Sequence, residues 1–189
     1  MVTAGAIQAS GNRMTTAIKA VADAKIWIQP NQNNIKVNVD INFTSSADSF
    51  GVGYIARNSN GNMLSAGNCS GSARTSEQAE CSGILSATRW TLNQGIKRME
   101  LETDYRAAAE FLNRHTTNIA WSSAILLNEA SDLFPKFDYI LVKSCFRSGN
   151  QAAYLIVQNT DVASLIPLCF YVESVPWFLC NQLDKDYLL

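Results

Sequence analysis

The chain has 189 residues, 47% of them hydrophobic and 16% charged, the composition of a globular domain with a sizeable core and room for extensions. A formal net charge of −1 and a pI near 5.8 exclude a global basic field, so any hold on nucleic acid has to come from a local patch. Five scattered cysteines without a Cys-x-x-Cys pair, and a single histidine, His115, argue against a zinc site or a disulfide framework and fit a reducing, intracellular compartment, nuclear or cytoplasmic.

Residues 1–22 are small and polar with weak periodicity, and Met1 to Gly11 lack the charged start and apolar run of a secretory signal. Val21 to Trp27 is expected to form a helical turn that stops at Trp27-Ile28-Gln29-Pro30, because proline restricts the residue before it. Asn31 to Asn34 is a turn-rich entry into Ile35-Lys36-Val37-Asn38-Val39-Asp40-Ile41-Asn42-Phe43, where apolar and polar residues alternate without a break. A period of two predicts a strand with Ile35, Val37, Val39, Ile41 and Phe43 facing a core and Lys36, Asn38, Asp40 and Asn42 facing water. Phe50 to Arg57 and Met63 to Ser70 read as two more strands, joined by Asn58 to Asn62, whose Asn60-Gly61 pair tolerates positive φ.

Thr75-Ser76-Glu77-Gln78 has the form of a capping box, with Thr75 as N-cap and Gln78 reaching back to it. The helix it opens should run to about Gln94, present Ala79, Gly83, Ile84, Ala87, Trp90 and Thr91 to the core, carry Glu80 in its first turn and stop at Gly95. Arg98 to Asp104 alternates again, as a fourth strand with Glu100, Glu102 and Asp104 on a solvated acidic side. A short helix over Tyr105 to Leu112 follows, then a polar loop containing His115. Trp121 to Phe134 is expected to be helical, with Ile125, Leu126, Ala130 and Leu133 inward, and Pro135 ends it. Asp138 to Val142 is a fifth strand, and Arg147 to Asn150 turns the chain into a last helix, Gln151 to Gln158. The apolar stretch Val162 to Leu179 is broken by Pro167, Glu173 and Pro176, which argues against a membrane span. The tail is expected to be irregular and to dock on the body.

The element order β-β-β-α-β-α-α-β-α indicates one mixed sheet with helices on its faces, the fourth strand lying beside the first through a right-handed crossover. That neighbourhood would set Asp40 and Asp104 side by side, with Glu80 brought over both by the helix between them. Clustered carboxylates need a compensating cation, and hard oxygen donors suit Mg²⁺. Two such ions can clamp the attacking and leaving oxygens of a phosphodiester.

Lys36-Val37-Asn38-Val39-Asp40, Gly51 to Gly61, Gln78-Ala79-Glu80 with Gly95-Ile96, Leu101-Glu102-Thr103-Asp104, and Arg147-Ser148-Gly149-Asn150-Gln151-Ala152-Ala153 follow one another in the order and spacing of a known family. In them the chain resembles the plant RNase H-like domain of retroelement-derived proteins, a branch of the type 1 ribonuclease H family. The likeness covers roughly residues 35–160, with weaker matches at Trp27 to Pro30 and Pro176 to Leu179. It implies an α/β ribonuclease H-like fold: a five-stranded mixed sheet of order 3-2-1-4-5 with helices on both faces. Residues 1–34 would be an extension, 35–160 the domain and 161–189 a tail packed on it.

The resemblance also implies hydrolysis of the RNA strand of RNA–DNA hybrids with Mg²⁺ or Mn²⁺, in a two-metal site if active. Asp40, Glu80 and Asp104 stand where the family has its first three acidic ligands, and would be both catalytic and metal-binding. Where the family has its fourth Asp this chain has Tyr154, where it usually has a histidine there is Ser144, and the glycine usual after the first Asp is Ile41. Asn42, Thr44 and Ser76 are placed for the minor-groove and 2′-OH contacts by which such proteins read hybrids, and Arg74 and Arg147 precede helices from which they can reach phosphates. The implied partner is an RNA–DNA hybrid or other nucleic acid, with no membrane and a monomeric chain. The alternative is a catalytically inactive module, derived from a retroelement, that binds nucleic acid or protein.

Overall fold

In the computed structural model the described residues are 26–159, 161, 168–171 and 174–187. The extension over residues 1–22 and most of the expected Val21–Trp27 turn lie outside them; Ile26 and Trp27 themselves are not helical. Strand β1 is Ile35–Asn42, β2 Ser49–Arg57, β3 Met63–Ser72, β4 Arg98–Thr103, β5 Tyr139–Ser144 and β6 Leu168–Tyr171. Helix α1 is Ser76–Asn93, α2 Arg106–Leu112, α3 Trp121–Asp132, α4 Gln151–Gln158 and α5 Trp177–Tyr187.

The strands form one sheet of order β5-β4-β1-β2-β3-β6. The expected order 3-2-1-4-5 is intact within it, with β1 parallel to β4, β4 parallel to β5, and β2 and β3 antiparallel. The sixth strand was not expected. Residues 168–171 pair antiparallel with β3, from Ser65↔Tyr171 to Asn68↔Leu168, and the tail ends in α5 rather than in irregular chain. Part of the predicted irregular tail is therefore regular structure that satisfies the hydrogen bonds of an otherwise open edge.

Local chemistry explains the elements. Thr75 caps α1 by accepting from the Gln78 N–H at 3.1 Å. Gln78 reaches back one residue further than a capping box would require, its Oε1 accepting from Arg74 N–H at 2.9 Å. Gly95, at φ 73°, ends the helix in the left-handed region open to glycine. The expected inward face of α1 is buried throughout. In α3 the buried stripe is Ser123, Leu127 and Ala130, a spacing of four and three, so Leu127 points inward and Ile125 is exposed, against expectation.

Two apolar clusters lie on opposite faces of the sheet. The larger joins the apolar side of β1 to α1, α2 and α3. The smaller gathers Ile55, Met63 and Ala66 with Ala152, Ala153 and Ile156 of α4 and Leu179 of α5. Glycines set the approach of both helical layers. A Cβ at Gly53 would stand 2.6 Å from the Ala153 carbonyl oxygen, so α4 rests directly on β2. A Cβ at Gly83 would collide with Ile41 Cδ1. The branched residue after Asp40 is thus accommodated on the α1 side, facing away from the carboxylate.

The polar side of β1 is not wet. Lys36 is 1% exposed, Asn38 0% and Asp40 2%. Glu100 and Glu102, expected as solvated residues, are buried as well. Lys36 Nζ pairs with Glu102 Oε1 at 2.5 Å, and Arg57 Nη1 pairs with Asp186 Oδ2 of α5 at 2.5 Å. The Arg57 guanidinium also donates to Asn38 Oδ1 and lies 3.7 Å from the Trp27 ring centroid. Glu100 accepts from Asn31 N–H, Asn34 Nδ2 and Lys143 Nζ. The segment before β1 and helix α5 thus close over this face, and the charges beneath them are matched.

Candidate active site

Val39 of β1 is paired with Thr103 of the parallel strand β4. One residue further along each chain come Asp40 and Asp104, so adjacent strands deliver two carboxylates at their C-terminal ends. Glu80 is the fifth residue of α1, one turn in from the cap; Glu77, not Glu80, occupies the first turn. Glu77 has a structural task, accepting from Tyr105 Oη and from Ala120 N–H. Glu80, Asp40 and Asp104 feel one another's charge.

Asp40 Oδ1 accepts from the Ile41 N–H at 2.9 Å. Its Oδ2 is buried with no hydrogen-bond partner. Burial, reinforced by the Asp104 charge, pushes the Asp40 carboxyl up to about 7. Burial together with Asp104 and Asp40 pushes Glu80 up to about 8. Asp104 is raised too, chiefly by burial. One cation acts against protonation in all three: Arg147.

Arg147 opens a one-turn 3-10 helix, Arg147–Gly149, ahead of α4. That turn is fastened to the site strand, since Asn150 is fully buried and its Nδ2 donates to the Val39 carbonyl at 2.8 Å. The guanidinium carbon sits 5.1 Å from the centroid of the Tyr154 ring, one helical repeat along α4. Asn150 and the Arg147–Tyr154 stack were not singled out in the sequence. A polar residue in a turn that opens an apolar helix is a weak signal, and stacking between residues seven apart is a weaker one.

The other expected site residues are more dispersed. Asn42 ends β1 half-buried, and Thr44, Arg74 and Ser76 are exposed. Of the two arginines, Arg147 is the one whose charge reaches all three carboxylates. Ser144 ends β5 opposite Thr103, and His115 is exposed in its loop.

The donor set consists of hard, anionic oxygens, and the orphaned Oδ2 of Asp40 is a buried acceptor with nothing to accept from, so the residues suit a divalent cation in kind. They are not drawn together around one. Among the described residues no three His, Cys, Asp or Glu side chains group closely enough to hold a metal ion. Loading would require the carboxylates to close up.

The sequence matches the family model described as reverse transcriptase-like over residues 38–160. No curated protein matches it. Among solved structures it is similar to RNase H1 from the halophilic archaeon Halobacterium salinarum, at 18% identity and a TM-score of 0.62, over 66% of this chain and 95% of that one. It is similar to the N-terminal RNase H domain of a Mycobacterium tuberculosis protein, at 15% identity and a TM-score of 0.60, over 67% and 91% of the two chains. LC11-RNase H1, solved in complex with an RNA/DNA hybrid, matches at 14% identity and a TM-score of 0.60, over 67% and 96%. At these identities the likeness shows a shared RNase H-like fold.

Proposed function

This chain belongs to the reverse transcriptase-like family, and we propose that it is a nucleic-acid-binding RNase H-like domain that hydrolyses the RNA strand of RNA–DNA hybrids with Asp40, Glu80 and Asp104. The observation that carries this reading is the unpartnered buried Oδ2 of Asp40 at the C-terminal end of the parallel β1–β4 pair, within reach of the charge of two further carboxylates. A fold has no structural use for three mutually repelling acids at one strand end, since burying them unpaired costs stability. Asp40, Glu80 and Asp104 would hold a divalent cation, which would neutralise the cluster and supply water activation for phosphodiester hydrolysis. Asp40 presents its free oxygen, Asp104 approaches from the neighbouring strand and Glu80 from above. Ser144 holds no proton to exchange near neutral pH, and Tyr154 contributes a phenol rather than a fourth carboxylate.

Those last two residues favour a second reading, in which the site is degenerate and the domain binds nucleic acid without cutting it. A plant, retroelement-derived origin belongs to either version and rests on the motif order alone. Among the described residues no helix is long and apolar enough to cross a membrane.

The test is cleavage of a labelled RNA–DNA hybrid with Mg²⁺ and separately with Mn²⁺, against Asp40→Asn. Cleavage that disappears in the variant supports hydrolysis by three carboxylates. Salt-sensitive binding without cleavage, unchanged in the variant, supports the second reading.

A further inference from the structure

We propose that Asn150 is a positioning residue for hybrid hydrolysis: it holds the Val39 carbonyl and thereby fixes how Asp40 is set beside Asp104. This rests on the reading of Asp40 and Asp104 as acids of the reaction and concerns what sets their mutual placement.

The β1–β4 ladder ends at Val39↔Thr103, and the next residue on each strand is an acid. The carbonyls just before those acids are both taken by one connection, residues 145–150 between β5 and α4. Cys145 N–H donates to the Thr103 carbonyl at 2.9 Å, and Asn150 Nδ2 donates to the Val39 carbonyl at 2.8 Å. The connection thus bridges the two strands at the residue before each acid. It is also seated at Gly149, where a Cβ would stand 3.0 Å from the Ile26 carbonyl oxygen.

The two holds differ in kind. Any residue but proline supplies the backbone N–H at 145, whereas the hold on Val39 depends on one side chain. Asn150 occupies the N-cap of α4, where an asparagine ordinarily turns its oxygen onto the first-turn amides, yet it makes no side-chain cap bond. The residue is 0% exposed and its Oδ1 has no partner. A side chain serving only the helix would cap it, since a buried unpaired oxygen is costly. This amide is turned to β1 instead. The peptide whose carbonyl it holds is the one that carries the Asp40 N–H, so the hold sets the plane from which Asp40 projects. Asp40 Oδ1 in turn accepts from the Ile41 N–H at 2.9 Å. Release of the Val39 carbonyl frees that plane to turn, and the carboxylate with it.

The experiment uses the full chain, unaltered and as Asn150→Ala, Asn150→Ser and Met63→Ala. Asn150→Ser keeps a residue suited to a helix N-cap and covers the case of an alanine variant that does not fold. Met63→Ala empties a buried position opposite Arg57, at the Lys36 end of the sheet rather than the Asp40 end, and controls for lost stability. Three-bond couplings to Asp40 Cγ report its χ1 rotamer without substrate. They should show one rotamer in the unaltered protein and in Met63→Ala, and averaging in the Asn150 variants, with the Ile41 amide resonance displaced. Hybrid cleavage with Mg²⁺ should lose about tenfold in kcat in the Asn150 variants at unchanged KM, while Met63→Ala, assayed below its melting temperature, keeps its kcat. An unchanged Asp40 rotamer in the folded Asn150 variants, or cleavage with a kcat no lower than that of Met63→Ala, overturns the positioning role. An unaltered protein that cleaves no hybrid, with Asp40 averaged only in the Asn150 variants, overturns the hydrolysis reading and leaves the hold on Asp40 standing.

Discussion

Acidic side chains are withdrawn from water at two places along β1 and β4, and they are treated in opposite ways. Within the strands, Glu102 meets Lys36, and Glu100 meets Lys143, Asn34 and the Asn31 amide. At the C-terminal ends Asp40 and Asp104, with Glu80 of α1 close enough to feel their charge, have no salt-bridge partner among the described residues. Although burial works against ionisation of Glu100, the hydrogen bonds from Asn34 and Asn31 and the Lys143 charge hold its carboxyl below the usual range. Burial, reinforced by the charge of neighbouring acids and opposed at Asp40 only by the Ile41 amide and the Arg147 charge, lifts Asp40 to about 7 and Glu80 to about 8. The same strands and the same residue type thus give a structural end and a strained end. Completeness of pairing distinguishes a carboxylate that holds a fold from one kept for chemistry.

The largest effect should come from breaking the paired end. Lys36→Met leaves Glu102 buried beside Asn38 without its cation, which should cost about 3–5 kcal/mol in urea unfolding at pH 7. Changing Glu102 to Leu in the same chain should recover most of it. A Lys36→Met loss under 1 kcal/mol would show that the network is not what fastens this face.

The unpaired end should respond with the opposite sign. Asp40 titrates near 4 when unfolded and near 7 when folded, so between those values the folded chain holds a proton that the unfolded chain has lost. Stability contributed by this group is therefore intact below the unfolded value and falls as pH rises through the folded one. Asp40→Asn removes the penalty: at pH 8 it should stabilise the metal-free protein by about 2–4 kcal/mol while abolishing cleavage, and at pH 4 the gain should vanish. Destabilisation by Asp40→Asn at pH 8 would mean the carboxylate is paired after all.

A smaller loss is expected where the two ends are held together. Gly53, paired with Asp40 across β1 and β2, lies under α4, and Gly53→Ala would press its new methyl against the Ala153 carbonyl. The cost should be about 1–3 kcal/mol, with Mn²⁺ affinity shifting as α4 and the Asn150 turn fastened to Val39 move against β1. An unchanged melting temperature and Mn²⁺ affinity would show that this approach does not set the site.

The sequence revealed most of this frame because most of it is local. The alternation in Ile35 to Phe43 marks β1, Thr75 and Gly95 bound α1, and β1 beside β4 follows from crossover geometry. Reading the polar half of β1 as wet failed for a physical reason. Lys36 and Glu102 are 66 residues apart, and each alone looks like a surface residue. Only their pairing, under a segment and a helix from opposite ends of the chain, makes burial affordable. Short β6 escaped notice because four residues carry too little periodicity to separate a strand from a loop. At the site the acids are visible in sequence, but their lack of a salt-bridge partner among the described residues is not. That lack depends on where Lys36, Arg57 and Lys143 are spent.

The smallest change in stability, and the sharpest test of the difference between the two ends, is Tyr154→Asp. It adds a fourth acid to a group that is already short of positive charge, which disfavours the metal-free fold. It also removes the ring under Arg147 and offers the guanidinium a carboxylate in exchange, which favours it. The two effects oppose each other at a half-exposed position, so the metal-free stability should move by less than about 1 kcal/mol. Metal binding has no such cancellation. The new carboxylate adds a fourth hard oxygen donor, so Mn²⁺ affinity should rise and hybrid cleavage with it, more so with Ser144→His alongside. If the double variant binds Mn²⁺ and cleaves no faster than the unaltered chain, the missing acid and histidine are not what limits this site. The limit would then lie in how far the three carboxylates must move to close on an ion, a constraint that Gly83 and Ile41, packed against each other behind Asp40, would impose.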